Sequence, residues 1–142
     1  MKSEIKNRIS EIYSKLKEEV SLTNATRREV QLKLPGLKHY YAAQLIYAKI
    51  ELKQKREARE TLVSKTARAY QLKQEQGGSV MPTMAGARRA VVKIPEIVKM
   101  DSAIGDLEIL VEYLTLVDKH LSGTTFDIKN LIELIKIETT WC

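Results

Sequence analysis

The sequence predicts an all-α chain, with a long basic helix followed by a C-terminal helical hairpin used for oligomerisation. Lys, Glu, Leu, Ile and Ala dominate, and aromatics make up only 6% of residues; this is the usage of helical chains. Apolar side chains recur at spacings of three and four through most of the chain, the period of one helix face. The stretch from Lys38 to Gln74 contains neither Gly nor Pro, the two strongest helix breakers.

The elements follow in order. Over residues 2–20, Ile5, Ile9, Ile12, Leu16 and Val20 lie at spacings of 4, 3, 4 and 4, one apolar stripe on a helix. Ser21 to Thr26 is rich in side chains that compete for backbone hydrogen bonds, so a break is expected there. Pro35-Gly36 predicts a second break or turn. The long helix then runs from about Lys38 to Gln74. Tyr41, Leu45, Leu52, Val63 and Tyr70 share one face of it at ~100° per residue. Arg56 and Arg59 fall on that same face. From Lys53 to Thr61 the helix is therefore polar nearly all round, and such a helix bridges solvent or binds something charged.

Gln76 to Gly86 reads as a flexible loop. Val91-Val92-Lys93-Ile94-Pro95 is short and β-branched. It reads as a strand near 90–94 or, since no partner strand is evident, as an apolar strap ended by Pro95. Asp101 or Ser102 is the expected N-cap of the next helix. Along it Ile104, Leu107, Leu110, Leu114, Val117 and Leu121 form a heptad-like seam. Gly123 is the expected stop. Phe126 and Asp127 open a last helix with Ile128, Leu131, Ile132 and Ile135 on its apolar stripe. Two such helices joined by Gly123-Thr124-Thr125 predict an αα-hairpin. The expected organisation is thus an N-terminal amphipathic helix or arm (1–36), a basic helix and loop (37–100) and the hairpin (101–142).

Charge is sorted into blocks. Lys33 to Lys73 holds ten Lys or Arg against three acids, a net of +7, while Asp101 to Cys142 holds eight acids against three Lys, a net of −5. A block this basic suggests a polyanion-binding element joined to one that does something else.

Several classes are excluded or disfavoured. No stretch approaches ~18 uninterrupted apolar residues, so no membrane span is expected. The N-terminal residues lack an apolar signal core, and Cys142 is the only cysteine. A cytoplasmic protein is expected. His39 and His120 are the only histidines and lie far apart, which gives no metal-ligand set. No Walker loop and no Ser-His-Asp order is present. Neither an enzyme nor a cofactor is expected. The acids Asp101, Asp106, Glu108, Glu112 and Asp118 read as a solvated helix face.

The candidate binding residues are on the basic helix. Lys49, Lys53 and Arg56 stand at i, i+4, i+7, and Lys55 and Arg59 form an adjacent row. Lys65 and Arg68 continue the basic surface toward the loop, and Arg88-Arg89 follow it. Cations spaced along one side neutralise phosphates and release counterions. A single strand also needs a flat ring on which bases stack, which Tyr70 or Tyr47 supplies. The hairpin stripes close the monomer core or pack against copies of themselves; a small chain with little core favours self-association.

The order of parts resembles a known family. Val98-Lys99-Met100-Asp101-Ser102-Ala103-Ile104, then Ile109-Leu110-Val111-Glu112-Tyr113, then Phe126-Asp127-Ile128-Lys129, is similar to the C-terminal part of the UvsY recombination mediators of tailed phages. The resemblance covers roughly residues 38–137 and is strongest over 98–135. It implies single-stranded DNA binding, a ring of six or seven subunits, and loading of a RecA-like recombinase onto DNA covered by single-strand-binding protein. DNA recombination, repair and replication in the host cytoplasm would be its setting. The family's DNA-contacting Lys-x-Arg pair maps onto Lys65 and Arg68, spaced here as Lys-x-x-Arg. On a helix i and i+3 share a face, whereas i and i+2 do not. The family's oligomer-forming hairpin maps onto residues 102–136. The alternative is a helical oligomeric adaptor that binds an acidic protein through its basic helix. RNA or duplex DNA as the main ligand is a third reading.

Overall fold

The computed structural model contains four helices: α1 (Lys2–Glu19), α2 (Arg27–Gln76), α3 (Met84–Val91) and α4 (Pro95–Trp141). The backbone is described for residues 2–19 and 27–141, and side chains for residues 4–18 and 33–123. The chain is all-α, with no strand among the described residues.

Three expected interruptions are absent. Pro35-Gly36 does not break the chain, because α2 begins at Arg27 and carries Pro35 inside it. An interior proline costs about 3 kcal/mol. Leu34 and Tyr41 flank it one seven-residue step apart, 3% and 2% exposed, and that burial overrides local propensity. Gly123-Thr124-Thr125 is no turn either. α4 runs through it to Trp141, so the expected αα-hairpin over 102–136 is a single helix. A lone Gly costs only about 1 kcal/mol in a helix, and Leu121, fully buried, anchors the turn before it. Asp101 and Ser102 are interior helical residues; α4 starts at Pro95, where the missing N–H is no loss.

The strand near 90–94 is not formed. Val91 ends α3, and Ile94 N–H donates to the Val91 carbonyl at 3.1 Å in the turn before α4. The expected loop also ends early, since α3 begins at Met84. Its N-cap is Thr83, whose hydroxyl accepts from Gly86 N–H at 3.1 Å, the usual capping bond. The expected break at Ser21–Thr26 lies outside the described residues, as do the side chains of Phe126, Ile128, Leu131, Ile132 and Ile135.

The chain divides into two units, Met1–Ala48 with Ile109–Cys142, and Lys49–Glu108. In the first, Leu16, Leu34, Tyr41, Ala48, Leu110, Leu114, Val117 and Leu121 are buried. The Tyr40 and Tyr41 rings meet edge-on, 5.0 Å apart at 85°, a favoured aromatic geometry. Ile5, Ile9 and Ile12 of α1 are only half-buried. A cleft of about 480 Å³ opens between α1 and α4, with Tyr13, Leu16, Tyr113 and Leu116 among its walls. Burial there pushes the Tyr113 phenol above its ordinary range, and nearby Tyr13 adds to the shift.

In Lys49–Glu108 the core is Val63 and Ala67 of α2, Ala87 and Val91 of α3, and Ile97 of α4, with Leu62, Tyr70 and Ile94 packed against it. Ala67 and Ala87 are both fully buried, so small side chains sit where α2 meets α3. Apart from half-buried Arg59, residues 53–61 are exposed, as their all-round polarity predicts.

Candidate nucleic-acid interface

The basic half of α2 ends at an anchored loop. Gly77 N–H donates to the Lys73 carbonyl at 3.0 Å and Ser79 N–H to the Gln74 carbonyl at 3.1 Å. Between them Gly78 adopts φ +80°, a conformation open to glycine at little cost. At the far end Thr83 caps α3. In the middle, Gln71 Nε2 donates to the Pro82 carbonyl at 2.9 Å. Val80 stands out from this loop at 93% exposure.

Arg68 lies beside the loop, exposed, and its Nη1 donates to Gln71 Oε1 at 3.3 Å. Lys65, one turn earlier, is exposed and has no ion pair among the described residues. Lys49 and Lys55 are likewise exposed and unpaired there. These four keep their charges available.

Others among the expected binding residues face acids. Arg56 Nη2 pairs with Glu108 Oε1 at 2.8 Å. Arg59 Nε pairs with Asp101 Oδ1. Arg88 Nη2 holds both Glu60 oxygens, at 2.6 and 2.7 Å, while its Nη1 donates to Ser64 Oγ at 3.1 Å. Lys53 lies 4.0 Å from Glu57. Arg89 is exposed and reaches only its own helix, at the Ala85 carbonyl, 3.4 Å away. Tyr70 is half-buried against the core cluster, so its ring supports α3 and α4 rather than an open stacking face. Tyr47 is 65% exposed.

The acids of α4 are therefore not all a solvated face. Asp101 and Glu108 stand seven residues apart on one side of α4 and meet arginines three apart on α2. Their spacing was visible in the sequence; the helix they would face was not. Asp106 differs again: it is 7% exposed, and its Oδ2 has no hydrogen-bond partner among the described residues. Gln71 carried no sequence signal, since a glutamine on a polar helix looks like any solvated side chain.

The expected oligomerisation residues Leu107, Leu110, Leu114, Val117 and Leu121 are all buried inside the chain, at 4%, 0%, 2%, 4% and 0% exposure. That seam closes the monomer. No helix among the described residues is long and apolar enough to cross a membrane. Comparison with protein-family models, curated proteins and solved structures finds no match for this chain.

Proposed function

We propose that this chain is a recombination mediator that binds single-stranded DNA without sequence preference, works as an oligomer, and helps load a RecA-like recombinase onto DNA covered by single-strand-binding protein. The observation that carries the reading is an excess of unpaired surface charge. Lys49–Glu108 contains twelve Lys or Arg and eight acids. The four ion pairs leave Lys49, Lys55, Lys65, Arg68, Lys73, Arg89, Lys93 and Lys99, all exposed, against four remaining acids. Internal neutralisation thus consumes part of the basic block and leaves a cationic surface. Such a surface suits a polyanion contacted through phosphates. The family resemblance supplies the recombinase, the covering protein and the ring.

Fluorescence anisotropy with a labelled single strand, against an equal-length duplex, tests this across a salt series. Expected is single-strand preference and steep weakening with salt. Replacing Lys65 and Arg68 together by Ala should flatten the log–log salt slope by about 1.4, near 0.7 per lost phosphate contact. No binding at low salt, or an unchanged slope in the double variant, sinks the reading and leaves the basic surface for an acidic protein.

A further inference from the structure

One face of α4 is arranged for contact with another helix. Ile109, Glu112, Leu116, Lys119 and Gly123 follow spacings of 3, 4, 3 and 4, a straight seam on a helix. This row lies on the side of α4 roughly opposite the buried seam, since each of its positions stands two residues, about 200°, beyond a seam residue. Ile109 is 54% and Leu116 57% exposed. Glu112, Lys119 and Gly123 are exposed too, and a Cβ added at Gly123 would meet nothing within 4 Å. Leu116 also forms one wall of the cleft of about 480 Å³ that Tyr13 and Leu16 border from α1.

We infer that α4 pairs antiparallel with α4 of a second copy of this chain, about a two-fold axis at Leu116. Charge selects this occupant and this direction. Glu112 and Lys119 stand about 10 Å apart along the helix, too far to pair with each other. Neither has an ion pair among the described residues. An antiparallel copy centred on Leu116 brings Glu112 of each chain to Lys119 of the other, twice by symmetry. A parallel copy in register sets Glu112 on Glu112 and Lys119 on Lys119. The antiparallel register also lays Ile109 over the open surface at Gly123, so a branched apolar side chain meets the smallest residue of the row. Leu116 of each copy sits at the mouth of the other's cleft.

A two-fold contact is closed: it makes pairs, whereas a ring needs a head-to-tail contact. The inference therefore stands apart from the mediator reading, and DNA binding neither supports nor removes it.

The test uses the full chain with Cys142→Ser, so that any disulfide reports an introduced thiol. Leu116→Cys in that background lies on the axis, and mild oxidation should link it to its own copy as a dimer on a non-reducing gel. Thr61→Cys, on the exposed side of α2, should stay unlinked. Sedimentation equilibrium of Glu112→Lys or Lys119→Glu alone should show pairing weakened on the order of tenfold, with two attractions turned to repulsions. The double exchange should restore it. No linked dimer at 116, equal linking at 61, or a double exchange as weak as the singles overturns the inference. A chain that stays monomeric overturns it as well and leaves the row for a helix of another protein.

Discussion

The side-chain amide of Gln71 bridges Arg68 and Pro82. Its Nε2 donates to the Pro82 carbonyl at 2.9 Å, and its Oε1 accepts from Arg68 Nη1 at 3.3 Å. Gln71 is only 5% exposed. One buried amide thus bonds both the loop after α2 and Arg68, one of the cations proposed to contact phosphates.

Gln71→Met keeps the volume and removes both bonds. It leaves the Pro82 carbonyl without its side-chain donor, which costs about 1–3 kcal/mol where a partner is lost in a buried setting. The melting temperature should fall. Under the mediator reading, single-strand affinity should fall as well, by less than Arg68→Ala causes, because the charge is retained. Thermal melts and anisotropy on the same preparations check both. A loss as large as that of Arg68→Ala would mean that Gln71 touches the nucleic acid itself.

Removing the acids that occupy α2 should have opposite effects on folding and binding. Asp101→Asn with Glu108→Gln frees Arg59 and Arg56. Glu108 and Arg56 are about half exposed, and Asp101 and Arg59 somewhat less. Each pair is therefore worth on the order of 0.2–1 kcal/mol, and stability should drop only slightly. Polyanion affinity at low salt should rise and its salt dependence steepen, since two more cations face solvent. If affinity stays flat, Arg56 and Arg59 do not belong to the binding surface.

Asp106 is a stabilisation site. A buried carboxylate oxygen without a partner among the described residues carries an uncompensated desolvation cost of about 1–3 kcal/mol. Asp106→Ala removes it and improves helix propensity. The melting temperature should rise by about 2–4 °C per kcal/mol gained. A fall would show that the carboxylate serves a contact made only with a partner molecule.

The sequence made the helices legible where burial is periodic and misled where one residue type marks a boundary. The shared apolar faces of Leu52 with Val63, and of Leu110, Leu114, Val117 and Leu121, follow from spacing alone. Pro35 and Gly123 read as boundaries, yet the burial of Leu34, Tyr41 and Leu121 offsets each penalty. The basic surface was legible as a block, but its division into paired and available cations was not. That division depends on Asp101, Glu108 and Glu60 meeting particular arginines, a tertiary fact with no local signature. The heptad seam of α4 was visible as well. Spacing cannot say whether such a seam faces its own chain or another; burial assigns Leu110 and Leu114 to the monomer and leaves Ile109 and Leu116 open.

Tyr113 makes alkaline stability a probe of the cleft beside α1. Its phenol is held above the ordinary tyrosine range by burial first and by Tyr13 second. The folded chain therefore keeps this proton at a pH where the unfolded chain, with its ordinary value near 10, has begun to lose it. Below that value both states are protonated and the group adds no pH dependence. Above it the unfolded state binds fewer protons, so stability falls as pH rises. The fall continues until the folded phenol also ionises. Tyr113→Phe removes this contribution. Urea unfolding at pH 8 and pH 11 should therefore show a smaller alkaline loss in the variant. Equal losses would mean that Tyr113 is as solvated in the folded chain as in the unfolded one, and that the cleft is open to water along its length.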